Sequence, residues 1–407
     1  MNSILKKISM EYFVLLAVMF LTVGYALDQK FLYNTAFFIG LFCKIIYLYK
    51  NKLEIRFNDF NFKLLLLMIL FCFSLLFISF YAVDINESMK FAEYYFKWMF
   101  IPFFMISFLS IGIKDFYKYM LYGLIIGSIV IASGVFWNSF ALGMDRPGGF
   151  FITAPNSVAG RLIFCLPFII LNKNLKNFYL KCLVSFFIFA AVVLTGSRGG
   201  IIAGIIEIVI LIWYLRKYNK VKICENLKRK QVITFLLLIC ITSITVGSVI
   251  NSRFIEFIKY NGNYIEHRVG GDRILLWKSS IDMIKDNPIT GVGLRNFNKV
   301  YIENGYIAKE AKEPNLISPH NIFLHIFVEA GLIGFVNFMI LLLYQLYSGY
   351  KYSNDNLILA YFLAIIGMCV HGMVDYLIWT KNYYLFYWFM VGCIYAYKTN
   401  ELYGRRK

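Results

Sequence analysis

The sequence predicts an all-α membrane protein: a polytopic transmembrane bundle of about twelve helices, with one large loop outside the membrane that contains short helices. Of its 407 residues, 60% are hydrophobic and only 16% are charged, and the mean hydropathy is +0.65. Soluble chains average about 45–50% apolar and about 25% charged residues, so this composition excludes an ordinary soluble enzyme and a disordered chain. The third observation is that apolar runs recur along most of the chain.

Twelve of these runs approach the length that crosses a bilayer, about 20 mostly apolar residues. They lie at 12–27, 31–49, 64–82, 94–112, 117–136, 157–171, 178–195, 199–215, 232–250, 320–346, 357–376 and 383–398. Nine spans with short loops are therefore expected in residues 1–250, and three spans with a cytoplasmic tail in residues 320–407. The first run lacks a small-residue cleavage site, so we expect it to be retained as a signal anchor.

The basic residues are unevenly divided among the loops. About 24 of the 41 Lys and Arg fall in one set of alternate loops and terminal segments, and about six fall in the opposite short loops. By the positive-inside rule, the first set is cytoplasmic and both termini lie inside. The net charge of +18 then reflects membrane topology. We therefore expect no nucleic-acid partner, and we expect the basic stretch 216–230 to touch anionic lipid.

One connection is much longer than the others. Residues 251–319 form a loop on the outer face, and a loop longer than about 12–15 residues is usually functional. The helical spacing of its apolar residues predicts a helix from near Asp272 to just before Pro288, with Arg273 in the first turn. The residues of this apolar stripe are Ile274, Trp277, Ile281 and Ile284. We expect the helix to lie on the membrane surface and the functional site to lie in this loop.

Three arginines are candidates for an anion site on the outer face. Arg198 follows a Thr-Gly-Ser turn and precedes two glycines at the start of a predicted span. Exposed backbone N–H groups and a positive helix end are typical of a diphosphate cradle, although an arginine that anchors a hairpin would occupy the same position. Arg273 has similar chemistry or forms a salt bridge with Asp272. Arg146, in an Asp-Arg-Pro-Gly loop, is a third phosphate candidate or a plain loop charge.

His320 is the candidate general base. The preceding Ser318 and Pro319 are a favourable N-cap and first helical residue, which predicts that the imidazole lies in the first turn of a span. The positive helix end disfavours imidazolium, and a neutral imidazole can accept a proton from a sugar hydroxyl. The alternative for His320 is a plain interfacial role. For His325, one turn further in, the alternative to a catalytic role is packing alone. The spacing of the histidines and cysteines indicates neither a metal site nor a disulfide.

Four ionisable residues lie within or at the ends of apolar runs, where facing lipid would be costly: Glu207, Glu329, His371 and Asp375. We expect them to face the interior of the bundle. His371 and Asp375 are four residues apart, which predicts that they share a helix face. They would form either a structural pair or a site that orients substrate. Lys97 either pairs with Glu93 or contacts phosphate.

Four stretches occur in a fixed order along the chain: Thr195-Gly196-Ser197-Arg198; Gly271 to Trp277, leading to Asn287-Pro288 and Gly291-Val292-Gly293; His320-Asn321, followed by Glu329 to Gly334; and Asp375. In this order, and with this number of spans and one large outer loop, they resemble the O-antigen ligase and O-antigen polymerase family of bacterial integral membrane glycosyltransferases. The chain lacks an additional histidine that some ligases carry before His320.

The resemblance implies that the protein transfers an O-antigen glycan from undecaprenyl diphosphate to a hydroxyl of the lipid A core. The reaction would take place at the periplasmic face of the bacterial inner membrane, with inversion and without a cofactor or metal. Arg198 and Arg273, with Arg146, would bind the diphosphate, and His320 would activate the acceptor. Supporting roles would fall to Asn321, Glu329, Asp375 and Lys97.

Three alternatives remain open. One is a related ligase that glycosylates protein. A polymerase that extends the lipid-linked glycan would use the same chemistry, although a single large loop late in the chain favours a ligase. A transporter or flippase would move a lipid-linked sugar without chemistry. Interrupted spans and charges in mid-membrane would indicate transport, whereas the distinctive charges of this sequence cluster at one face. The sequence therefore favours an enzyme.

Overall fold

The computed structural model describes residues 10–51, 62–217, 270–307, 318–377 and 380–404, with isolated positions at 233, 237 and 241. The regular elements in these ranges are helices, numbered here in chain order. They are α1 Met10–Leu27, α2 Lys30–Asn51, α3 Phe62–Ser79, α4 Ile85–Ser110, α5 Phe116–Phe140, α6 Pro155–Ile170, α7 Phe178–Leu194, α8 Arg198–Lys217, α9 Gly270–Asp286, α10 Phe297–Glu303, α11 Ile322–Lys351, α12 Asn356–Gly372 and α13 Lys381–Gly404.

Most of these helices coincide with the predicted spans. Six of those in the described ranges are long and apolar enough to cross a membrane, namely α1, α2, α3, α5, α8 and α11, and three apolar helices are shorter, namely α6, α7 and α12. The all-helical prediction is confirmed. The count of about twelve spans stays a prediction, as does the division at residues 250 and 320. The expected span at 232–250, most of the basic stretch 216–230 and parts of the loop 251–319 lie outside the described residues.

α4 begins about nine residues before the apolar run that predicted it. Asp84 is its N-cap, and the Asp84 carboxylate accepts a hydrogen bond of 3.0 Å from the backbone N–H of Glu87. The first two turns carry Asn86, Glu87 and Lys90, so a count of apolar residues misses them. A capped polar turn can extend a span beyond its apolar run, because the cap satisfies backbone groups that the helix cannot.

Contacts between connections define the two ends of the bundle. At one end, the amide of Asn356, at the start of α12, donates to the carbonyl of Leu171, just after α6, at 3.1 Å. At the other end, the N–H of Val83, before α4, donates to the carbonyl of Val292, after α9, at 3.1 Å. This second end is called the site end below. Its connections include 80–84, 195–197, 287–296, 318–321 and 373–377.

α11 is interrupted near the site end. Gly331 has φ 57° and ψ −167°, a conformation that costs a non-glycine residue free energy. A Cβ at this position would lie 2.3 Å from the carbonyl oxygen of Ile289. The interruption leaves backbone N–H and C=O groups without their helical partners, and within a membrane such groups must find others.

The connection after α9 supplies those partners. Four backbone hydrogen bonds join the two segments: Val292 N–H to the carbonyl of Val328 (2.9 Å), Gly293 N–H to that of Glu329 (2.9 Å), Leu332 N–H to that of Pro288 (2.8 Å) and Ile333 N–H to that of Ile289 (3.2 Å). Residues 288–293, called the inserted loop below, therefore complete α11. Two of the short sequence motifs are thus halves of one structural unit.

α9 begins and ends close to the predicted positions. Its buried face is formed by Leu276, Ser280 and Met283, which pack towards α10 and α11. Ile274 and Ile281 of the predicted apolar stripe are 45% and 44% exposed. The helix therefore has two apolar sides. Leu276 and Met283 are seven residues apart on the buried side, and Ile274 and Ile281 are seven apart on the exposed side. Contact of the exposed side with the membrane stays a prediction.

Candidate functional site

Arg198 is the first residue of α8, at the site end. The turn before it is held by the Thr195 hydroxyl, which accepts from the N–H of Ser197 at 3.2 Å, and by the Ser197 hydroxyl, which accepts from the N–H of Gly200 at 3.4 Å. Gly196 has φ 66°, which favours glycine. The turn therefore presents the guanidinium at the positive end of a helix, as predicted.

The glycine after Arg198 has a packing role. A Cβ on Gly199 would lie 2.4 Å from the Val374 side chain and 2.8 Å from the His371 ring. The Ser197 hydroxyl also lies 3.3 Å from Nε2 of His371. Gly199 thus lets the end of α12 approach the turn closely, which brings the residues after α12 beside Arg198.

His320 lies just outside α11, so the prediction of a place in its first turn is wrong. The N-cap is Asn321, whose Oδ1 accepts from the backbone N–H groups of Phe323 and Leu324 at 2.9 and 3.1 Å. Ser318, the predicted cap, lies too early, because the asparagine three residues later satisfies the first N–H groups.

Two contacts hold the segment that carries His320. The indole N–H of Trp277, in α9, donates to the carbonyl of Pro319 at 2.8 Å. The amide of Asn321 donates to the carbonyl of Met373, just after α12, at 3.0 Å. His320 itself has φ 47°, a conformation uncommon for a residue other than glycine. Its side chain is 26% exposed, so the ring is partly accessible from outside the protein.

Asp375 lies beyond the end of α12, which corrects the predicted helix face shared with His371. The helix ends at Gly372, and the Met373 carbonyl accepts from Asn321 where a continuing helix would bond it to a later N–H. Asp375 is instead carried towards the start of α11. Its Oδ1 lies 3.9 Å from Nδ1 of His320, which is longer than a hydrogen bond but close enough for electrostatic attraction.

The charge state of Asp375 follows from its surroundings. Burial acts to raise the pKa of the Asp375 carboxyl, but His320, His371 and the backbone N–H of Tyr376 favour the carboxylate, so the pKa lies below its ordinary value. The carboxylate is therefore present at neutral pH. The stability that it confers is lost only as the pH falls through this lowered pKa.

Arg273 joins the same cluster from α9. Burial lowers the pKa of its guanidinium, the nearby Asp375 carboxylate acts in the opposite direction, and Arg198 lowers the pKa further. These influences show that Arg273, Arg198 and Asp375 are electrostatic neighbours. The site end thus brings together two guanidinium groups, a buried carboxylate and the partly exposed imidazole of His320.

Two other predicted residues make contacts elsewhere. Arg146 is exposed in the connection before α6, and its guanidinium donates to Oδ1 of Asn156 at 3.0 Å. Lys97 forms an exposed ion pair with Glu93 on α4, the alternative that the spacing allowed. Neither of these contacts involves the residues around His320.

Glu329 and Glu207 are buried, as expected of charges within apolar runs. Oε2 of Glu329 lies 3.2 Å from Nε2 of His325, and the two side chains are 1% and 3% exposed. Glu207 packs against Gly367 of α12, where a Cβ would overlap its carboxylate. Glu329 lies on α11 just before the interruption at Gly331, and it contacts His325 near the site end.

Two arginines were missed by reasoning from the sequence. Arg161 is fully buried in α6, has no hydrogen-bond partner within the described part of the chain and lies 5.9 Å from the centroid of the Phe386 ring. Arg295 has φ 61° and lies 4.5 Å from the centroid of the Phe91 ring. The signal for Arg161 was available, because it is a charge inside an apolar run, like Glu207.

Residues 183–339 match the protein-family model described as O-antigen ligase. This stretch includes Arg198, Arg273 and His320, together with the inserted loop and the interruption of α11. Asp375 lies beyond it.

Two similar proteins were found. An uncharacterized protein of Haemophilus influenzae is 26% identical over 290 residues, which cover 66% of this chain and 68% of that protein. A protein of Rickettsia felis named "Putative polysaccharide ligase" is 27% identical over 110 residues, which cover 26% of this chain and 27% of that protein. The resemblance noted in the sequence is therefore confirmed: residues 183–339 are similar to the O-antigen ligase family.

Proposed function

We propose that the protein is an O-antigen ligase that transfers a glycan from undecaprenyl diphosphate to a hydroxyl of the lipid A core oligosaccharide. The reaction takes place at the periplasmic face of the inner membrane. The family match supports the broader class of polysaccharide ligases and polymerases. The observation that carries the proposal is the convergence of His320, Asp375, Arg273 and Arg198 at one end of the bundle. Lipid-linked diphosphates lie at the membrane surface, and the proposal places this end of the bundle there.

In this reaction, His320 activates the acceptor. Its Nδ1 faces Asp375, so Nε2 is the nitrogen that accepts the proton of the acceptor hydroxyl. The hydroxyl oxygen attacks the anomeric carbon of the donor as the proton moves. The Asp375 carboxylate stabilises the imidazolium that forms, because an opposite charge about 4 Å away favours the protonated ring.

The two arginines act on the leaving group. The bond between the anomeric carbon and the diphosphate oxygen breaks, and its electron pair leaves with undecaprenyl diphosphate. Arg198 and Arg273 stabilise the negative charge that develops on the diphosphate, through charge-assisted hydrogen bonds. Direct displacement by the acceptor oxygen inverts the configuration at the anomeric carbon.

Ligase and polymerase use the same chemistry and differ in the acceptor. Lipopolysaccharide from a strain that lacks this protein separates them. A ligase predicts a truncated core together with accumulated lipid-linked polymer. A core capped by a single repeat would instead assign the protein as a polymerase.

Transport of a lipid-linked sugar is the second candidate, since α11 is interrupted and interrupted spans are common in transporters. The inserted loop fills that interruption, which favours a fixed site over a moving one. Purified protein in vesicles, given lipid-linked donor and core acceptor without ATP, should form product and free undecaprenyl diphosphate in equal amounts. Movement of intact donor across the bilayer without cleavage would support the transporter instead.

A further inference from the structure

Aromatic rings form a continuous column from α10 to His320. Successive ring centroids and interplanar angles are Tyr301 to Phe297 (5.6 Å, 14°), Phe297 to His325 (6.0 Å, 20°), His325 to Tyr376 (5.3 Å, 2°) and Tyr376 to His320 (5.6 Å, 71°). We call these five rings the ring column. Its rings come from α10, from the start of α11 and the residue just before its N-cap, and from the connection after α12.

We propose that Tyr376 is a positioning residue for the transfer reaction, holding the His320 ring in the orientation that meets the acceptor hydroxyl. The inference rests on the proposed function, in which His320 accepts the hydroxyl proton. Tyr376 itself reacts with nothing and acts through His320.

The first argument is that hydrogen bonds do not fix the His320 ring. Its Nδ1 is 3.9 Å from Asp375 and, within the described residues, has no hydrogen-bond partner. Rotation of an imidazole about its last side-chain bond meets only broad, shallow minima. The edge-to-face contact with the Tyr376 ring therefore supplies the steric limit on that rotation, and edge-to-face pairs are a favoured aromatic geometry.

The second argument is that Tyr376 is itself held firmly and touches both partners of the pair. Its ring is stacked almost parallel on His325, which Phe297 covers from a neighbouring element. Its backbone N–H donates to Oδ1 of Asp375 at 2.8 Å. A single residue thus orients the imidazole through its ring and the carboxylate through its backbone.

The third argument is that the ring column is anchored in the protein interior. His325 lies 3.2 Å from the buried carboxylate of Glu329. The backbone carbonyl of Glu329 accepts a hydrogen bond from Gly293 in the inserted loop. The position of the His320 ring is therefore connected to the inserted loop through the buried residues His325 and Glu329.

The experiment compares Tyr376→Phe and Tyr376→Leu, each also made in a His320→Ala background. Tyr25→Leu is the matched control, because Tyr25 is buried and stacked on both Tyr33 and Phe389, at 4.6 Å each. Purified variants are assayed for kcat and for the KM of an undecaprenyl-diphosphate-linked donor, and their melting temperatures are recorded.

We expect Tyr376→Phe to retain at least about a third of the wild-type kcat, because the ring remains. Tyr376→Leu should lower kcat by about tenfold to a hundredfold, the cost of a misplaced catalytic group, with little change in the KM of the donor. In the His320→Ala background, Tyr376→Leu should cause no further loss, since a residue that acts only through His320 has nothing left to position.

Three results would overturn the inference. They are an undiminished kcat for Tyr376→Leu, an equal fractional loss of kcat on Tyr376→Leu with and without His320, and a kcat for Tyr25→Leu that falls as far as that of Tyr376→Leu.

NMR spectra of histidine-labelled protein give a readout independent of activity. The His320 signal, identified by its absence in His320→Ala, should move in Tyr376→Leu and stay in Tyr25→Leu. If it moves while the wild-type protein transfers no glycan, the positioning contact stands and the proposed function fails.

Discussion

At the scale of single residues, His320 carries the sharpest expectation. General-base catalysis contributes about a hundredfold to ten-thousandfold, so His320→Ala should lower the rate of transfer by that factor. The variant should remain folded, because the ring is partly exposed and makes no buried hydrogen bond within the described residues. Transfer by purified protein across a range of pH, with melting temperature as the check on folding, makes the measurement. A His320→Gln variant with the wild-type rate and pH profile would move the base assignment to Asp375 or Glu329.

The two arginines predict a loss on conservative substitution. Arg198→Lys and Arg273→Lys keep a positive charge but lose the planar fork that binds a diphosphate through two hydrogen bonds. Losing such a contact in the transition state costs about 3 kcal/mol, or roughly a hundredfold in rate. Arg216→Lys is the matched control, since Arg216 is exposed at the opposite end of the same helix as Arg198. Near-wild-type transfer at saturating acceptor by both lysine variants would remove the diphosphate assignment.

The kinds of residue in the candidate site could be predicted from the sequence, but their pairing could not. Arg198, Arg273 and His320 were expected from the sequence to lie on the outer face, and the structure places all three at the site end. The partner of His320 was not apparent, because spacing placed Asp375 on a helix with His371. That helix ends at Gly372, and the carbonyl of Met373 just after it accepts from Asn321, 52 residues away. Local periodicity holds no information on a hydrogen bond over such a distance.

At the scale of elements, the interruption of α11 predicts a strong effect of one methyl group. Gly331→Ala should destabilise the protein by more than about 1–3 kcal/mol, the cost of the backbone conformation alone, because its Cβ would also overlap the inserted loop. In Gly331→Ala, both the melting temperature and the rate of transfer should be lower than in the unsubstituted protein. Gly149→Ala is the control, since its Cβ would meet its nearest neighbour at 3.4 Å, an ordinary contact. Equal melting temperatures for the two variants would contradict the described interruption.

The elements themselves were largely predictable, and their irregularities were not. Hydropathy located the spans because lipid and the packed interior both favour apolar side chains. The same property concealed the interruption, since Ala330, Gly331 and Leu332 continue the apolar run. The hydrogen bonds that replace the helical ones come from a segment about 40 residues earlier. A helix break that is completed from elsewhere leaves no trace in hydropathy.

At the scale of the whole molecule, the uneven distribution of basic residues predicts which end faces the periplasm. Positions 262 and 220 lie outside the described residues, in the large loop and in the basic stretch respectively. We expect an impermeant thiol reagent added to intact cells to label Gly262→Cys and not Lys220→Cys, because the positive-inside rule puts the basic stretch in the cytoplasm. The unsubstituted chain, with its eight native cysteines, gives the background. Labelling at position 220 alone would invert the topology.

The molecule as a whole shows why family resemblance and geometry had to be combined. The four sequence stretches were recognisable as an ordered set, yet they are spread over about 180 residues. Helices that cross the bundle bring them to the site end, where contacts such as that between Ser197 and His371 join them. Order along the chain indicated a family resemblance, and only the packing of α8, α9, α11 and α12 shows which side chains meet.

The completion of α11 by the inserted loop also determines how such proteins can be recombined. A chimera that takes only the outer segment from a relative would bring a loop backbone shaped to a different helix break, and a chimera that takes only α11 would have the converse mismatch. Either exchange would leave N–H and C=O groups without partners inside the membrane. Exchange of residues 270–351 as one block keeps the four hydrogen bonds intact. The segment that joins α11 and the helix that it completes should therefore be exchanged together.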